Sequence, residues 1–280
     1  MARRAIVGLQ RTIATFDLKF PIETEAGSAD IGRMRVSVEL IPRGEAELLA
    51  DARAVRAAMP RANAFNIPDL MRFPLRSWEA CKVTSSILPA SIPHIRAIDL
   101  PPGDDLPMLD SMLAAGLVEL LVIRGDPPHD MSHRTYPNTS EDIIRRFKRR
   151  LPSLRVYAAF DPYRLGFRDE MTGVQRKLDA GADGFFTQPI FDVRLLEICA
   201  ELLQGQCVFW GITPVVGERS KAYWETTNRV IFPTGFSPTL DWNRAFAIKA
   251  ITMIRELSGN VYFMPIRVNL SQYLTGLLPT

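Results

Sequence analysis

The stretch LRVYAAFDPYRLGFRDEMTGVQRKLDAGADGFFT, residues 154–187, contains the pattern that best predicts the fold. It begins with a short apolar run, 154–160, which predicts a buried strand. A helix follows over 168–180, with Gly181 directly after its end, where glycine commonly terminates helices. A second strand is predicted over 183–187. A strand, a helix and a strand in this order are typical of a parallel sheet whose two faces are covered by helices.

The same alternation continues on both sides of this stretch. The predicted strands are 35–41, 62–67, 92–98, 118–123, 154–160, 183–187, 207–212 and 261–266. The predicted helices are 45–59, 77–88, 106–117, 140–150, 168–180, 193–203, 218–227, 241–257 and a last turn or two at 271–278. About eight alternations in this length favour an α/β fold of the (β/α)8 TIM-barrel type over an open sheet. Residues 1–33 lack periodicity and are interpreted as an N-terminal extension, and residues 34–280 as a single barrel domain.

Composition excludes several classes of protein. The chain has 280 residues, 47% hydrophobic and 23% charged, which is typical of a globular protein and not of a disordered one. Its net charge of +3 is too balanced to indicate a nucleic-acid partner. No apolar run approaches the roughly 18 residues of a membrane span. Three widely spaced cysteines, Cys81, Cys199 and Cys207, and the absence of a signal-peptide pattern predict a cytoplasmic protein.

Polar residues that follow the predicted strands are the candidates for a site, because catalytic residues of such barrels lie at the carboxyl ends of strands. Glu39 is the strongest of them. It stands between Val38 and Leu40 inside an apolar run, so burial would raise the pKa of its carboxyl group and suit it to proton transfer. The other candidates are Asn63, Asn66, His94, Arg96, Asp99, Arg124, Asp126, Asp161, Thr187 and Gln188.

Two further patterns have simpler interpretations. His129 and His133 are four residues apart, a spacing that binds metal when it lies on a helix. Pro127 and Pro128 precede them, so we interpret the segment as a solvated loop and expect no metal site. The basic run 145–150 ends a predicted helix, where it complements the helix dipole better than it would bind nucleic acid.

Six segments of the chain resemble, in order, motifs of the methylenetetrahydrofolate reductase family. They read VSVELIPR (36–43), PHIRAID (93–99), LVIRGDPP (121–128), RKLDAGA (176–182), FTQPIFD (186–192) and GITPV (211–215). A single tripeptide match is weak, but six matches in register from about residue 33 to residue 270 identify the chain as a member. The resemblance implies a FAD-containing (β/α)8 barrel that interconverts 5,10-methylene- and 5-methyltetrahydrofolate in one-carbon metabolism.

The resemblance also implies roles for individual residues. Glu39 corresponds to the catalytic glutamate, a general acid in the reductive direction and a base in reverse. Asp126 corresponds to the acidic residue beside the flavin that tunes hydride transfer. Gln188 corresponds to the glutamine that contacts folate or nicotinamide, and Trp224 to an aromatic residue that stacks on NADH. The implied FAD contacts are Asn66, His94, Arg124, Gly125, Asp126, Ala158, Phe160, Glu170, Arg176 and Lys177.

The sequence departs from the family pattern at several of these positions. Phe160 replaces the usual Tyr, Glu170 the usual Asp, and Asn66 stands near a usual Thr. The segment 261–267 resembles the family only loosely. The electron donor is therefore left open between NADH, NADPH and another donor, as are the direction of the reaction and homo-oligomer formation.

Two alternatives to this flavoenzyme stand beside it. The first is a tetrahydrofolate-binding protein without redox turnover. The second is a metal-dependent barrel hydrolase that would use Glu39, His94 and Asp126.

Overall fold

The computed structural model describes residues 34–88, 90–128 and 133–278. The predicted N-terminal extension, residues 1–33, lies outside the described residues, and so does His129. Eight parallel strands pair in chain order, and the eighth pairs with the first, so the sheet is a closed barrel. The predicted (β/α)8 architecture is confirmed.

Each predicted strand and helix is present, with ends that shift by a few residues. The strands are β1 (Val36–Glu39), β2 (Ala64–Ile67), β3 (Ser91–Arg96), β4 (Glu119–Ile123), β5 (Arg155–Phe160), β6 (Gly184–Pro189), β7 (Val208–Ile212) and β8 (Asn260–Phe263). The helices are α1 (Glu45–Ala58), α2 (Ser77–Thr84), α3 (Leu109–Ala114), α4 (Ser140–Arg150), α5 (Phe167–Asp179), α6 (Val193–Leu202), α7 (Glu218–Thr227), α8 (Leu240–Glu256) and α9 (Leu270–Leu274). A short 3₁₀ helix, Ala97–Asp99, follows β3.

Side chains alternate along each strand between the helix layer and the barrel interior. On β1, Val36 and Val38 pack into the large core between strands and helices, so Ser37 and Glu39 face inward. The apolar side chains of the barrel interior form a separate core cluster. Its buried members are Ala64, Ile92, Leu121, Tyr157, Phe186, Phe209, Tyr262 and Met264.

A charged pair closes the amino-terminal end of the barrel. Arg35 donates two hydrogen bonds to Glu119, at 2.7 and 3.0 Å, in a bidentate arrangement. The hydroxyl of Tyr157 also donates to Glu119, at 2.8 Å, and the Arg35 guanidinium lies 5.2 Å from the centre of the Phe209 ring. These contacts connect Arg35, directly before β1, with β4, β5 and β7, so the pair supports the barrel rather than a site at its other end.

The basic run of residues 145–150 lies in the second half of α4, as the helix-dipole interpretation requires. The helix is capped by Thr139, whose hydroxyl accepts a hydrogen bond from the backbone of Asp142 at 3.2 Å. Ser140 is the first helical residue. In the part of the chain that the structure describes, every helix is too short or too polar to cross a membrane.

Candidate active site in the barrel mouth

Glu39 is the last residue of β1, and its side chain points into the carboxyl-terminal mouth of the barrel. The hydroxyl of Tyr262, on β8, donates a hydrogen bond to its Oε2. Burial raises the pKa of the Glu39 carboxyl group to about 7, and the hydrogen bond from Tyr262 acts in the opposite direction. A carboxyl group of this kind can give up or take a proton at neutral pH.

Asn66 and His94 lie beside Glu39 in a chain of hydrogen bonds that crosses three strands. Asn66 pairs with Glu39 in the β1–β2 register, and its Oδ1 accepts a hydrogen bond from the Ser37 hydroxyl. Its Nδ2 lies 3.1 Å from Nε2 of His94, and the Ser77 hydroxyl donates to the His94 backbone carbonyl at 2.7 Å. The structure therefore brings together three of the residues that the sequence singled out.

His94 is neutral in this arrangement. Burial lowers the pKa of its imidazole to about 3. Since the Asn66 amide donates to Nε2, we assign the ring proton to Nδ1. The Nδ1–H group of His94 can donate a hydrogen bond in the mouth, but the neutral ring is not an acid at neutral pH.

Tyr262 was missed in the sequence analysis. Its ring makes edge-to-face contacts with Phe186, at 5.1 Å between centroids, and with His94, at 6.4 Å. The signal that could have found it is its position in the last strand: closure of a barrel places β8 against β1, and alternation turns Tyr262 inward.

Arg124, Gly125 and Asp126 form the turn after β4. Gly125 has a φ of +83°, a left-handed conformation that favours glycine. The backbone carbonyl of Asp126 accepts a hydrogen bond from Arg96 at 2.8 Å. Its side chain is 82% exposed and lies 3.8 Å from the Arg164 guanidinium, so its polar contacts are with arginines and not with Glu39 or His94.

A network of ion pairs occupies the neighbouring edge, after β2 and β3. Asp69 is buried and accepts hydrogen bonds from the Arg76 guanidinium. Asp99 accepts from Arg96 at 2.8 Å and lies 3.3 Å from Nε2 of His133. This network fixes Arg96, which in turn holds the Asp126 backbone; Asp69 and Arg76 were not among the sequence candidates.

The candidates on β5 and α5 are already in contact with other groups of the protein. Lys177 donates to the carbonyl of Ala159 at 2.7 Å and lies 3.5 Å from Glu170, which is itself buried. Arg176 is exposed and pairs with Glu141 at 3.2 Å. The remaining two candidates, Ala158 and Phe160, are fully buried in the core between the strands and the helices.

Gln188 and Trp224 lie at different depths. Gln188 is half-buried near the end of β6, where Phe186, two residues before it, faces the barrel interior. Trp224, on α7, is only 7% exposed and packs against Phe191, Val215 and Val230. In this structure Trp224 is a core residue.

Within residues 34–88, 90–128 and 133–278, no three His, Cys, Asp or Glu side chains are grouped so that they could bind a metal ion. Glu39 and Asp126 make separate polar contacts, as described above. The metal-dependent hydrolase hypothesis therefore lacks a ligand set in the described part of the chain.

The fold and the mouth together define a (β/α)8 barrel with a carboxyl group suited to proton transfer at its carboxyl-terminal end. A sequence model of the family described as methylenetetrahydrofolate reductase matches residues 76–253, more than half of the chain. The chain belongs to the methylenetetrahydrofolate reductase family.

Solved structures share the fold at low sequence identity. One is an uncharacterised protein from Clostridium thermocellum that binds two copies of 5-methyl-5,6,7,8-tetrahydrofolic acid: its TM-score is 0.58 and its identity 11%, over 86% of this chain and 93% of that one. Another is 2,3-dimethylmalate lyase of the PEP mutase/isocitrate lyase superfamily, with a TM-score of 0.52 and 12% identity, over 83% of this chain and 73% of that one. At such identities the likeness shows the fold alone.

Proposed function

We propose that the protein interconverts 5,10-methylenetetrahydrofolate and 5-methyltetrahydrofolate by hydride transfer through FAD. The observation that carries the proposal is the Glu39–Tyr262 pair in the mouth of a barrel of this family. The fold neighbour that binds 5-methyltetrahydrofolate supports the choice of substrate class. The predicted cytoplasmic location belongs to the same proposal.

Glu39 supplies the proton chemistry. With a pKa of about 7, its carboxyl group is partly protonated at neutral pH. In the reductive direction the protonated form acts as a general acid and helps to open the methylene bridge of the folate. In the oxidative direction the carboxylate takes the proton back as the bridge closes, so one residue serves both directions.

The donor set around the mouth fits an anionic cofactor with a polar ring system. Arg124 and Arg164 are exposed, and Arg164 meets the carboxylates of Asp161 and Asp126 only at 3.6 and 3.8 Å, so its charge is available to a diphosphate. Neutral His94 and the half-buried amide of Gln188 present hydrogen-bonding groups toward the mouth. Bound FAD would supply the hydride-carrying ring.

The residues that would hold the cofactor fall into two groups. His94, Arg124, Gly125 and Asp126 line the mouth and its β4 edge, where the flavin would be bound and where the Asp126 carboxylate would disfavour an anionic reduced ring. The α5 side would contribute Arg176, whose exposed guanidinium can exchange Glu141 for a phosphate. Gln188 would orient the folate.

A second function is favoured by one observation. Lys177 and Glu170 hold each other and the end of β5, so two of the implied FAD contacts are already satisfied within the protein. A folate-binding protein without redox turnover would need no FAD, so these contacts of Lys177 and Glu170 could stay as they are. Trp224, buried in the core, also gives no support to nicotinamide stacking.

Anaerobic mixing separates the two functions. The purified protein, reconstituted with FAD, is mixed with 5-methyltetrahydrofolate, and in parallel with NADH or NADPH, while the flavin absorbance is followed. We expect FAD to bind and 5-methyltetrahydrofolate to bleach it. Tight folate binding by a protein that takes up no FAD would overturn the proposal in favour of the second function, and the two nicotinamide experiments identify the electron donor.

A further inference from the structure

We infer that Tyr262 is the positioning residue for Glu39, because its hydroxyl holds the carboxyl group at one point in the barrel mouth. The reaction that this pair serves rests on the proposed function, but the contact between the two side chains does not. The inference is carried by strand register, by the packing of the Tyr262 ring and by the absence of a competing charge.

The register between β8 and β1 brings Tyr262 close to Glu39. β8 pairs with β1 so that Tyr262 stands beside Ser37, and Glu39 is the next inward-facing residue along β1. The phenol is long enough to pass along the strand to the carboxyl group, and its hydroxyl donates to Oε2. A shorter side chain at position 262 would not reach.

The Tyr262 ring is held in one place. It is 4% exposed, with Phe186 against it edge to face at 5.1 Å and 84°, and His94 at 6.4 Å and 69°. Phe186 is itself stacked on Phe209 at 4.2 Å. A tyrosine has only two side-chain torsions, so a ring fixed in this way presents its hydroxyl at a defined point. The Glu39 carboxyl group, which accepts the hydrogen bond, is therefore oriented by an uncharged partner.

Among the described residues, Tyr262 is the one side chain that donates a hydrogen bond to Glu39. From β2 comes Asn66, which does not titrate and is engaged by Ser37 and His94. From β3 comes His94, which burial keeps neutral because the pKa of its ring is lowered to about 3. From β8 comes Tyr262, whose own pKa burial raises well above its usual value, so its hydroxyl stays protonated and donates.

Burial and the hydrogen bond from Tyr262 shift the pKa of Glu39 in opposite directions. Burial raises the pKa of the Glu39 carboxyl group, and the hydrogen bond from Tyr262 limits the rise because it stabilises the carboxylate. Removal of the hydroxyl lets the pKa rise further. Glu39 then keeps its proton to higher pH, which disfavours its role as a base more than its role as an acid.

The test is a titration of Glu39 in Tyr262→Phe, with two matched controls. Tyr273→Phe removes a fully buried hydroxyl that has no hydrogen-bond partner among the described residues. Tyr157→Phe removes a hydroxyl inside the same barrel that donates to Glu119 at the other end. The protonated-carboxyl band is followed by infrared difference spectroscopy on the full chain, with Glu39→Gln as the blank that identifies the Glu39 band.

We expect the midpoint of the Glu39 titration to rise by about one pH unit in Tyr262→Phe, the size of one buried hydrogen bond, and to stay unchanged in both controls. An unchanged midpoint in Tyr262→Phe, or an equal rise in a control, overturns the inference. If Tyr262→Phe does not fold, 3-fluorotyrosine incorporated at position 262 keeps the shape and makes a stronger donor, so the midpoint must fall instead.

The turnover of folate gives a second readout. In Tyr262→Phe the pH at which reductive activity declines should move upward with the titration. If Glu39→Gln keeps full turnover, the proposed proton role of Glu39 is wrong, yet the infrared titration still decides whether Tyr262 controls that carboxyl group. The two failures are therefore distinguishable.

Discussion

Tyr262 donates a hydrogen bond to Glu39 although 223 positions of sequence separate the two residues. The contact exists because the last strand of the barrel pairs with the first. It places the Glu39 carboxyl group, whose pKa burial raises to about 7, beside an uncharged hydrogen-bond donor. The predictions below concern this carboxyl group, the ion pair at the other end of the barrel and the exposed turn after β4.

Glu39→Gln should lower folate turnover by about 10²-fold or more, the usual size of a lost general acid–base group. The variant should keep its FAD, since Gln preserves the shape and the hydrogen bond from Tyr262. Steady-state turnover and the flavin absorbance of the purified protein check both statements. Glu47→Gln, on the exposed face of α1, is the control and should behave as wild type. Near-wild-type turnover by Glu39→Gln would refute the acid–base role.

The same substitution should change how stability depends on pH. The pKa of Glu39 is about 7 in the folded protein and 4.5 for the free side chain, so the unfolded state gives up its proton first. As the pH rises from about 4.5 to about 7, wild type should lose up to roughly 3 kcal/mol of unfolding free energy relative to Glu39→Gln, with no further relative loss above that window.

Urea denaturation of both proteins at several pH values between 4.5 and 8 measures this difference. His94 has the opposite effect, because its lowered pKa costs stability as the pH falls below about 6.5. Both proteins contain His94, so its contribution cancels in the comparison. A difference between the two proteins that does not vary with pH would show that Glu39 is not buried as an acid.

Glu119→Ala should destabilise the protein by roughly 2–3 kcal/mol, because it leaves the partly buried Arg35 guanidinium without its bidentate partner. The matched control is Asp51→Ala, which breaks the more exposed pair with Arg43 at 3.7 Å and should cost less than about 1 kcal/mol. Chemical denaturation compares the two. Equal losses would mean that the pair at the base of the barrel is not a structural contact of the fold.

Asp126→Asn should raise the reduction potential of bound flavin, because it removes a negative charge that disfavours the anionic reduced ring. The side chain is 82% exposed, so solvent screens its charge and the shift should shrink as salt is added. A redox titration at two ionic strengths measures it, with Asp105→Asn, exposed in the loop before α3, as the control. A potential that stays the same or becomes more negative would remove Asp126 from the flavin site.

The (β/α)8 fold and the inward position of Glu39 were both predictable from the sequence alone. The unit of β5, α5 and β6 is written in local patterns: a short apolar run, an amphipathic stretch and a glycine at its end. Repeated about eight times, these patterns specify parallel strands. In a closed barrel every strand has a neighbour on both sides, and no strand edge is left unpaired. The orientation of Glu39 could also be predicted, since a carboxylate between two buried apolar neighbours on a strand must face the barrel interior.

The groups around Glu39, and the other candidates that come near it, are known from the tertiary structure and not from the sequence. Tyr262 contacts Glu39, and Asn66 contacts His94, because strand register and ring packing fix distances that no local pattern encodes. Lys177, on α5, contacts the buried Glu170, whereas the side chain of Asp126, after β4, is exposed to solvent. Nothing in the sequence indicated this difference, because both residues were implied to contact the same cofactor. Sequence patterns fix which face of an element is buried; the partner of a polar side chain depends on how separate elements meet, and that is settled only when the barrel closes.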